Sequence, residues 1–170
     1  ILIKYFIPIR GFVMSKKSFK PQAGFPESTN RIQTNNIEQL CCKWAEQIGA
    51  TPISLPMVEK RELFERGVGK GTDVVDKEMI IVKSDKEDLV LRPEGTSGAI
   101  RLWNNQGGRN IGPQKWYYND FMFRNERQQA GRYKQFKQFG LEMIGQKEGF
   151  SDIEMLVDIY RLFKMLKIDE

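Results

Sequence analysis

The stretch from Pro113 to Gly145, PQKWYYNDFMFRNERQQAGRYKQFKQFGLEMIG, constrains the fold of this chain more than any other. It reads as two strands joined by a charged loop. On the first, Trp116 and Tyr118 share one face and Tyr117 and Asn119 the other, the period of two that marks a strand. The loop Gln128 to Gly131 carries turn residues, and the second strand runs from Arg132 to Ile144. Along it Phe136, Gln138, Gly140 and Glu142 fall on one face by alternation. An aromatic, an amide and a carboxylate in line, opposite an arginine, make a poor core. Burying Glu142 and Gln138 without partners would cost on the order of several kcal/mol, so the row points to a ligand.

The rest of the chain surrounds this pair of strands. From Thr34 to Ile48, apolar residues at Ile37, Leu40, Cys41, Trp44, Ala45 and Ile48 form a helical stripe, with Thr34 or Asn35 as cap and Gly49 as stop. A strand Thr51 to Leu55 follows and ends at Pro56. Met79 to Lys83 and Asp88 to Leu91 read as a hairpin around Ser84-Asp85-Lys86, whose second strand delivers Arg92-Pro93-Glu94-Gly95-Thr96. Pro93 ends the strand, Gly95 lets backbone approach a ligand, and Thr96 caps a helix from Ser97 to Trp103. Read blandly, PEGT is a helix start with Glu94 where the helix dipole favours an anion. Asp152 to Lys167 places Ile153, Leu156, Val157, Tyr160, Phe163 and Leu166 on one face, the pattern of a packing helix. Successive strands joined by hairpin-like loops imply an α/β fold of the α+β kind, an antiparallel sheet flanked by helices.

The chain of 170 residues has no histidine. That excludes Ser-His-Asp and Cys-His catalysis, histidine metal sites and a histidine general base. Chemistry here must use carboxylates, arginines, lysines and backbone. Cys41 and Cys42 are adjacent, which suits neither a CxxC motif nor a disulfide framework; they read as a reduced pair on a helix in an intracellular protein. A net charge of +5 admits a polyanionic partner such as RNA. No apolar run approaches the roughly 18 residues of a membrane span. Arg66 to Thr72, RGVGKGT, imitates a phosphate-binding loop but fails its spacing, and it follows a charged, helical ELFER where a buried strand is needed. Residues 1–30 read as a linker or N-terminal extension. Up to Glu27 they lack acidic residues, as organellar transit peptides do, but Pro8 and Gly11 break any helix there.

Three segments carry a family resemblance. FRNERQQAGRYKQFKQFGLEMIG resembles motif 2 of the class II aminoacyl-tRNA synthetases in its histidyl-tRNA synthetase form. LRPEGTSGAIRLW resembles that family's histidine-binding segment, and ELFERGVGKGTDVVDKEM is similar to its members. Gln128 stands where the family usually has proline, and the family's Gly-Thr-Arg-Asp segment before the first long helix is not found. The resemblance implies that residues 31–170 are part of a class II catalytic domain containing motifs 1 and 2. Motif 3, a further arginine-bearing segment and an anticodon-binding domain would lie beyond these residues, so they would hold about the first half of an active site.

The roles below are those the resemblance implies. Arg124 holds the α-phosphate and stabilises the transition state. Glu126 meets the adenine amino group or orders the loop, Phe136 stacks on adenine, and Arg132 reaches the γ-phosphate. Glu94 and Thr96, beside Gly95, grip the histidine amino group; Gln138 meets its carboxylate side and Glu142 its imidazole. The implied reaction is histidine plus ATP to histidyl-adenylate, then transfer to tRNA(His), with Mg2+ on the phosphates. No protein metal ligand is expected. Pro56 marks the edge of a homodimer interface, and the protein is expected in the cytoplasm or, alternatively, in an organelle. A non-catalytic synthetase-like regulatory or tRNA-binding protein is the alternative, although such paralogues tend to lose the ATP-contacting arginines that stand here. A half-sheet would expose an apolar face and an unpaired edge, so the isolated chain is expected to be marginally stable or to aggregate.

Overall fold

A computed structural model describes residues 22–26, 31–69, 71–127, 132–146 and 149–168. Most of the segment 1–30, Lys70 of the glycine-rich stretch and Gln128 lie outside the described residues.

The long pair of strands is present. β5 (Gln114–Phe123) and β6 (Gln135–Ile144) pair antiparallel over ten residues each, with Trp116 opposite Glu142, Tyr118 opposite Gly140, Asp120 opposite Gln138 and Met122 opposite Phe136. β1 (Thr51–Pro52) joins β5 in parallel, giving the order β1-β5-β6. A second sheet has the order β2-β4-β3 and is antiparallel throughout: β2 (Val58–Lys60), β3 (Ile80–Val82) and β4 (Leu89–Leu91). Among the described residues four α-helices flank the sheets: α1 (Arg31–Gln47), α2 (Arg61–Gly67), α3 (Thr96–Asn105) and α4 (Phe150–Met165).

The two faces of β5–β6 have different tasks. Tyr117, Phe139 and Leu141 meet Cys41, Trp44 and Ala45 of α1 and Leu162 of α4 in the main core. The opposite face carries Tyr118 and Met122, which pack with Leu55 and form the floor of the candidate site. A third cluster, Phe64, Val75, Met79 and Val90, anchors α2 to the second sheet. α1 ends as its sequence suggests: the Ala50 N–H bonds to the Ala45 carbonyl around Gly49, whose φ of +80° suits a residue without a Cβ.

Several boundaries move. α1 begins at Arg31 and runs through Thr34 and Asn35, so neither is its cap; its first turns, with Ile32 alone among polar residues, show little apolar periodicity but contain no helix breaker. β1 stops at Pro52, short of Leu55, because prolines 52 and 56 offer no N–H to a ladder and the Leu55 carbonyl accepts from Arg92 Nη1 at 2.6 Å. β6 starts at Gln135, since the N–H groups of Lys134 and Gln135 both turn to the Gly24 carbonyl.

The largest correction concerns α4. Leu162 and Asp158 are its buried residues, whereas Ile153, Leu156 and Tyr160 are 65%, 69% and 62% exposed, with Val157 and Phe163 also exposed. Of the residues expected to pack, only Leu166 joins the core. The helix is tied down instead through polarity: Lys115 on β5 holds Asp158 at 2.7 Å and Glu154 at 3.0 Å, which selects the other side of the helix.

Candidate functional site

The site is built on the second face of β6, where Phe136, Gln138 and Glu142 stand in line as alternation requires. Above Glu142 lies the start of α3. Its N-cap is Gly95, not Thr96, and the Thr96 hydroxyl donates instead to Glu142 Oε1 at 2.8 Å. The capping task falls to Glu94, whose two carboxylate oxygens accept from the Ser97 N–H at 3.1 and 3.2 Å. Glu94 thus stands at the helix start, where the dipole favours an anion. The two carboxylates are close enough that Glu94 acts on Glu142 electrostatically.

Tyr118 completes this corner. Its hydroxyl donates to the same Oε1 of Glu142 at 3.2 Å and accepts from Gln138 Nε2 at 3.3 Å. Its ring fills space that only glycine leaves open: a Cβ on Gly95 would lie 2.2 Å from Tyr118 Cζ, and one on Gly140 would lie 2.1 Å away. Gly95 thus gives room to a side chain, beyond any approach of backbone to a ligand. Burial pushes the Glu142 carboxyl above its ordinary range and the negative charge of Glu94 adds to this, against the two hydroxyl donors that pull it down. Burial, followed by the Glu142 charge, also raises the Tyr118 phenol well above its ordinary value, so it stays protonated.

At the other end of β6 a cleft of ≈ 630 Å³ is lined by Val74, Glu78, Arg124, Glu126, Arg132, Tyr133, Phe136 and Lys137. Arg124 Nε donates to the Pro93 carbonyl at 2.9 Å, and its guanidinium lies 5.3 Å from the centre of the Phe136 ring. Glu126 lies between two guanidinium groups, 3.7 Å from Arg124 Nη1 and 3.5 Å from Arg132 Nη1. The Asn125 N–H bonds to the Glu78 carbonyl, fastening a single π-helical turn, Val74–Glu78, against the cleft. This turn follows the glycine-rich stretch, and α2 precedes it, so the flanking order of a phosphate-binding loop is absent. The arrangement joins two guanidinium cations, an aromatic face and a carboxylate, a set that can receive a polyanion carrying a planar ring.

Arg92 is a functional support that sequence reading names but gives no role. It is 3% exposed and donates to the carbonyls of Phe121 at 2.8 Å and Leu55 at 2.6 Å, with Asp120 3.3 Å away. It ties β4 to the first sheet and so sets Glu94 to Thr96 over β6. For Tyr118 the sequence does hold a signal: a bulky residue facing a glycine across a strand pair. Among the described residues no group of three or more His, Cys, Asp or Glu side chains is gathered to hold a metal, and no helix is long and apolar enough to cross a membrane. Pro56 is exposed and lines a second, smaller cleft of ≈ 370 Å³ with Glu59, Lys60, Glu62, Leu63, Arg66 and Arg101.

The family model described as histidyl-tRNA synthetase matches residues 25–170. Histidine–tRNA ligase of Syntrophomonas wolfei is 40% identical over 141 residues, covering 82% of this chain and 33% of the relative. That of Macrococcus caseolyticus is 48% identical over 116 residues, covering 66% and 27%. The chain therefore spans about a third of the length of the curated relatives it matches. The apo S. aureus histidyl-tRNA synthetase superposes with a TM-score of 0.68 at 27% identity, over 87% of this chain and 35% of that one. An ATP phosphoribosyltransferase regulatory subunit/histidyl-tRNA synthetase from Bacillus halodurans C gives 0.76 at 21% identity over 92% and 40%, a likeness of fold. The sheets flanked by helices are those of a class II synthetase core, and the chain belongs to the histidyl-tRNA synthetase family.

Proposed function

We propose that these residues supply the histidine pocket and one wall of the ATP site in a histidine–tRNA ligase. The observation that carries the reading is the half-buried Glu142 carboxylate, held in line with Gln138 and Phe136 on β6, with Arg124 and Arg132 at the far end of the strand. From Phe136 to Glu142 the strand rises about 20 Å, room for an amino acid and a nucleotide end to end. Glu142 accepts from the imidazole N–H, and Glu94 with Thr96 faces the ammonium group. Gln138 lies between, on the carboxylate side. Arg124 and Arg132, balanced by Glu126, meet the phosphates of ATP, which arrives as its magnesium complex. Phe136 offers its remaining face to adenine.

The step follows from those positions. A histidine carboxylate oxygen attacks the α-phosphorus, a new P–O bond forms, the bond to the β-phosphate oxygen breaks, and pyrophosphate leaves. Arg124 neutralises the charge that grows on the α-phosphate oxygens. No protein base is needed, in keeping with a chain without histidine. A terminal hydroxyl of tRNA(His) then attacks the carbonyl, forming the ester and releasing AMP. The positive balance of the chain suits a tRNA partner. We place the protein in the cytoplasm as a homodimer meeting through the α1–β1 region near Pro56.

The test is histidine-dependent exchange of pyrophosphate into ATP by the native-length protein. Exchange with histidine alone among the amino acids, abolished by Arg124→Ala, is the expected result. Binding of tRNA without any exchange would overturn the reading in favour of a non-catalytic member of the family.

A further inference from the structure

We infer that Tyr118 is a positioning residue for histidine selection: its hydroxyl locks one oxygen of Glu142 and the amide of Gln138, leaving the other Glu142 oxygen to the imidazole. The inference rests on the proposed role of Glu142 and adds to it a residue that touches no substrate. Three observations carry it.

First, Thr96 and Tyr118 both donate to Oε1, and among the described residues Oε2 has no donor. A carboxylate tied at one oxygen keeps its plane, so the second oxygen has a fixed direction. Second, a phenol has a single proton. With that proton given to Glu142, the Tyr118 oxygen can only accept from Gln138, and the amide is set with its nitrogen towards Tyr118. One hydroxyl thereby sets the orientation of two ligand-facing groups. Third, the ring itself cannot drift. It is 1% exposed, packed with Leu55 and Met122, and held between the backbones of Gly95 and Gly140 with no space for a Cβ on either. A loosely held tyrosine could not transmit position; this one can.

The groups that face Glu142 are Thr96 from α3, Glu94 from the preceding turn, and Tyr118 from β5. Thr96 and Tyr118 favour the ionised carboxylate, whereas Glu94 opposes it. Removing the Tyr118 hydroxyl therefore does two things at once: it frees the carboxylate to rotate, and it makes the carboxylate easier to protonate.

The experiment is Tyr118→Phe in the native-length protein, which keeps the ring and its packing. We expect the KM for histidine to rise about tenfold, with kcat and the KM for ATP nearly unchanged. The acid limb of kcat/KM for histidine should move to higher pH. A residue that merely supported the fold would impair histidine and ATP alike and leave that limb in place. Glu142→Gln separates the two layers of the claim. If Glu142→Gln raises the KM for histidine while Tyr118→Phe changes neither KM nor limb, the positioning role is overturned and the pocket stands. If Glu142→Gln also leaves histidine binding unchanged, the reading of the pocket itself fails.

Discussion

Tyr118 and Gly140 face each other across β5 and β6 so closely that a Cβ on Gly140 would lie 2.1 Å from the Tyr118 Cζ. The same ring bars a Cβ at Gly95 from the opposite side. Overpacking a site with no room costs typically about 1–3 kcal/mol. Gly140→Ala should therefore lose stability of that order, seen as a lower urea midpoint with an unchanged slope. In a Tyr118→Leu background the added cost of Gly140→Ala should shrink, because the atoms it strikes are gone. An undiminished cost in that double-mutant cycle would show that strain at Gly140 arises elsewhere.

Arg92 offers a second test. Its guanidinium is buried, donates to the carbonyls of Leu55 and Phe121 and approaches Asp120. Arg92→Met should cost on the order of 3–5 kcal/mol, since several buried acceptors lose their donor together. Arg92→Lys should restore little, because an ammonium cannot reproduce the planar fork. Recovery of most of the melting temperature by lysine would reduce Arg92 to a point charge.

Much of this is legible in the residues, for reasons that differ by element. The β5–β6 pair shows because alternation over ten residues leaves little else to fit, and it puts Phe136, Gln138 and Glu142 on one face. The stop of α1 at Gly49 is equally clear. What alternation and periodicity cannot say is which partner an outward residue finds. Thr96 reads as a cap because caps are local; its bond to Glu142, 46 residues away, is not. The stripe on α4 identifies a helix but not the side that packs. That choice is made by Lys115, whose attraction for Asp158 and Glu154 turns the polar side inward. Arg92 is hidden for the same reason, since its acceptors are backbone carbonyls that no side-chain pattern records.

The exposed stripe on α4 has its own consequence. Ile153, Leu156 and Tyr160 form a row of large apolar side chains open to solvent, the kind of surface that associates. The 170-residue chain by itself should show concentration-dependent light scattering. Ile153→Lys with Leu156→Glu should suppress that scattering and leave the thermal midpoint within a degree or two, as expected for surface changes of about ±0.5 kcal/mol. A large loss of stability in this variant would mean that the stripe packs within the chain after all.

The ion cluster beneath α4 makes stability depend on alkaline pH. Burial alone would push the Lys115 ammonium down, but hydrogen bonds and charge from Asp158 and Glu154 carry it above its ordinary value. A folded-state value above the unfolded one stabilises fully below the unfolded value, 10.5, and the gain is lost as the pH rises through the folded value. Lys115→Met should cost about 3 kcal/mol at neutral pH, leaving Asp158 buried without its main partner. The gap between wild type and variant should narrow above the ordinary lysine range. A gap constant through that range would mean that the lysine acts by packing rather than charge.

Glu142 should behave in the opposite sense from a structural carboxylate. Its folded carboxyl lies above the ordinary value of 4.5, with burial the largest cause. The fold therefore binds its proton more readily than the unfolded chain does. The stability from this group is complete below the ordinary value and is lost as pH rises through the raised folded value. Ionisation of this carboxyl therefore burdens the fold, and the proposed contact with an imidazole N–H is what would call for it. Glu142→Gln, which fits the same space and can still meet the Thr96 and Tyr118 hydroxyls, should be more stable by about 1 kcal/mol at pH 7 while losing selectivity for histidine. In acid, where the wild-type carboxyl is protonated, the two proteins should unfold at nearly the same urea concentration. A variant that is less stable than wild type at pH 7 would place Glu142 among the residues that hold the fold, and its claim to recognise a ligand would lose its energetic ground.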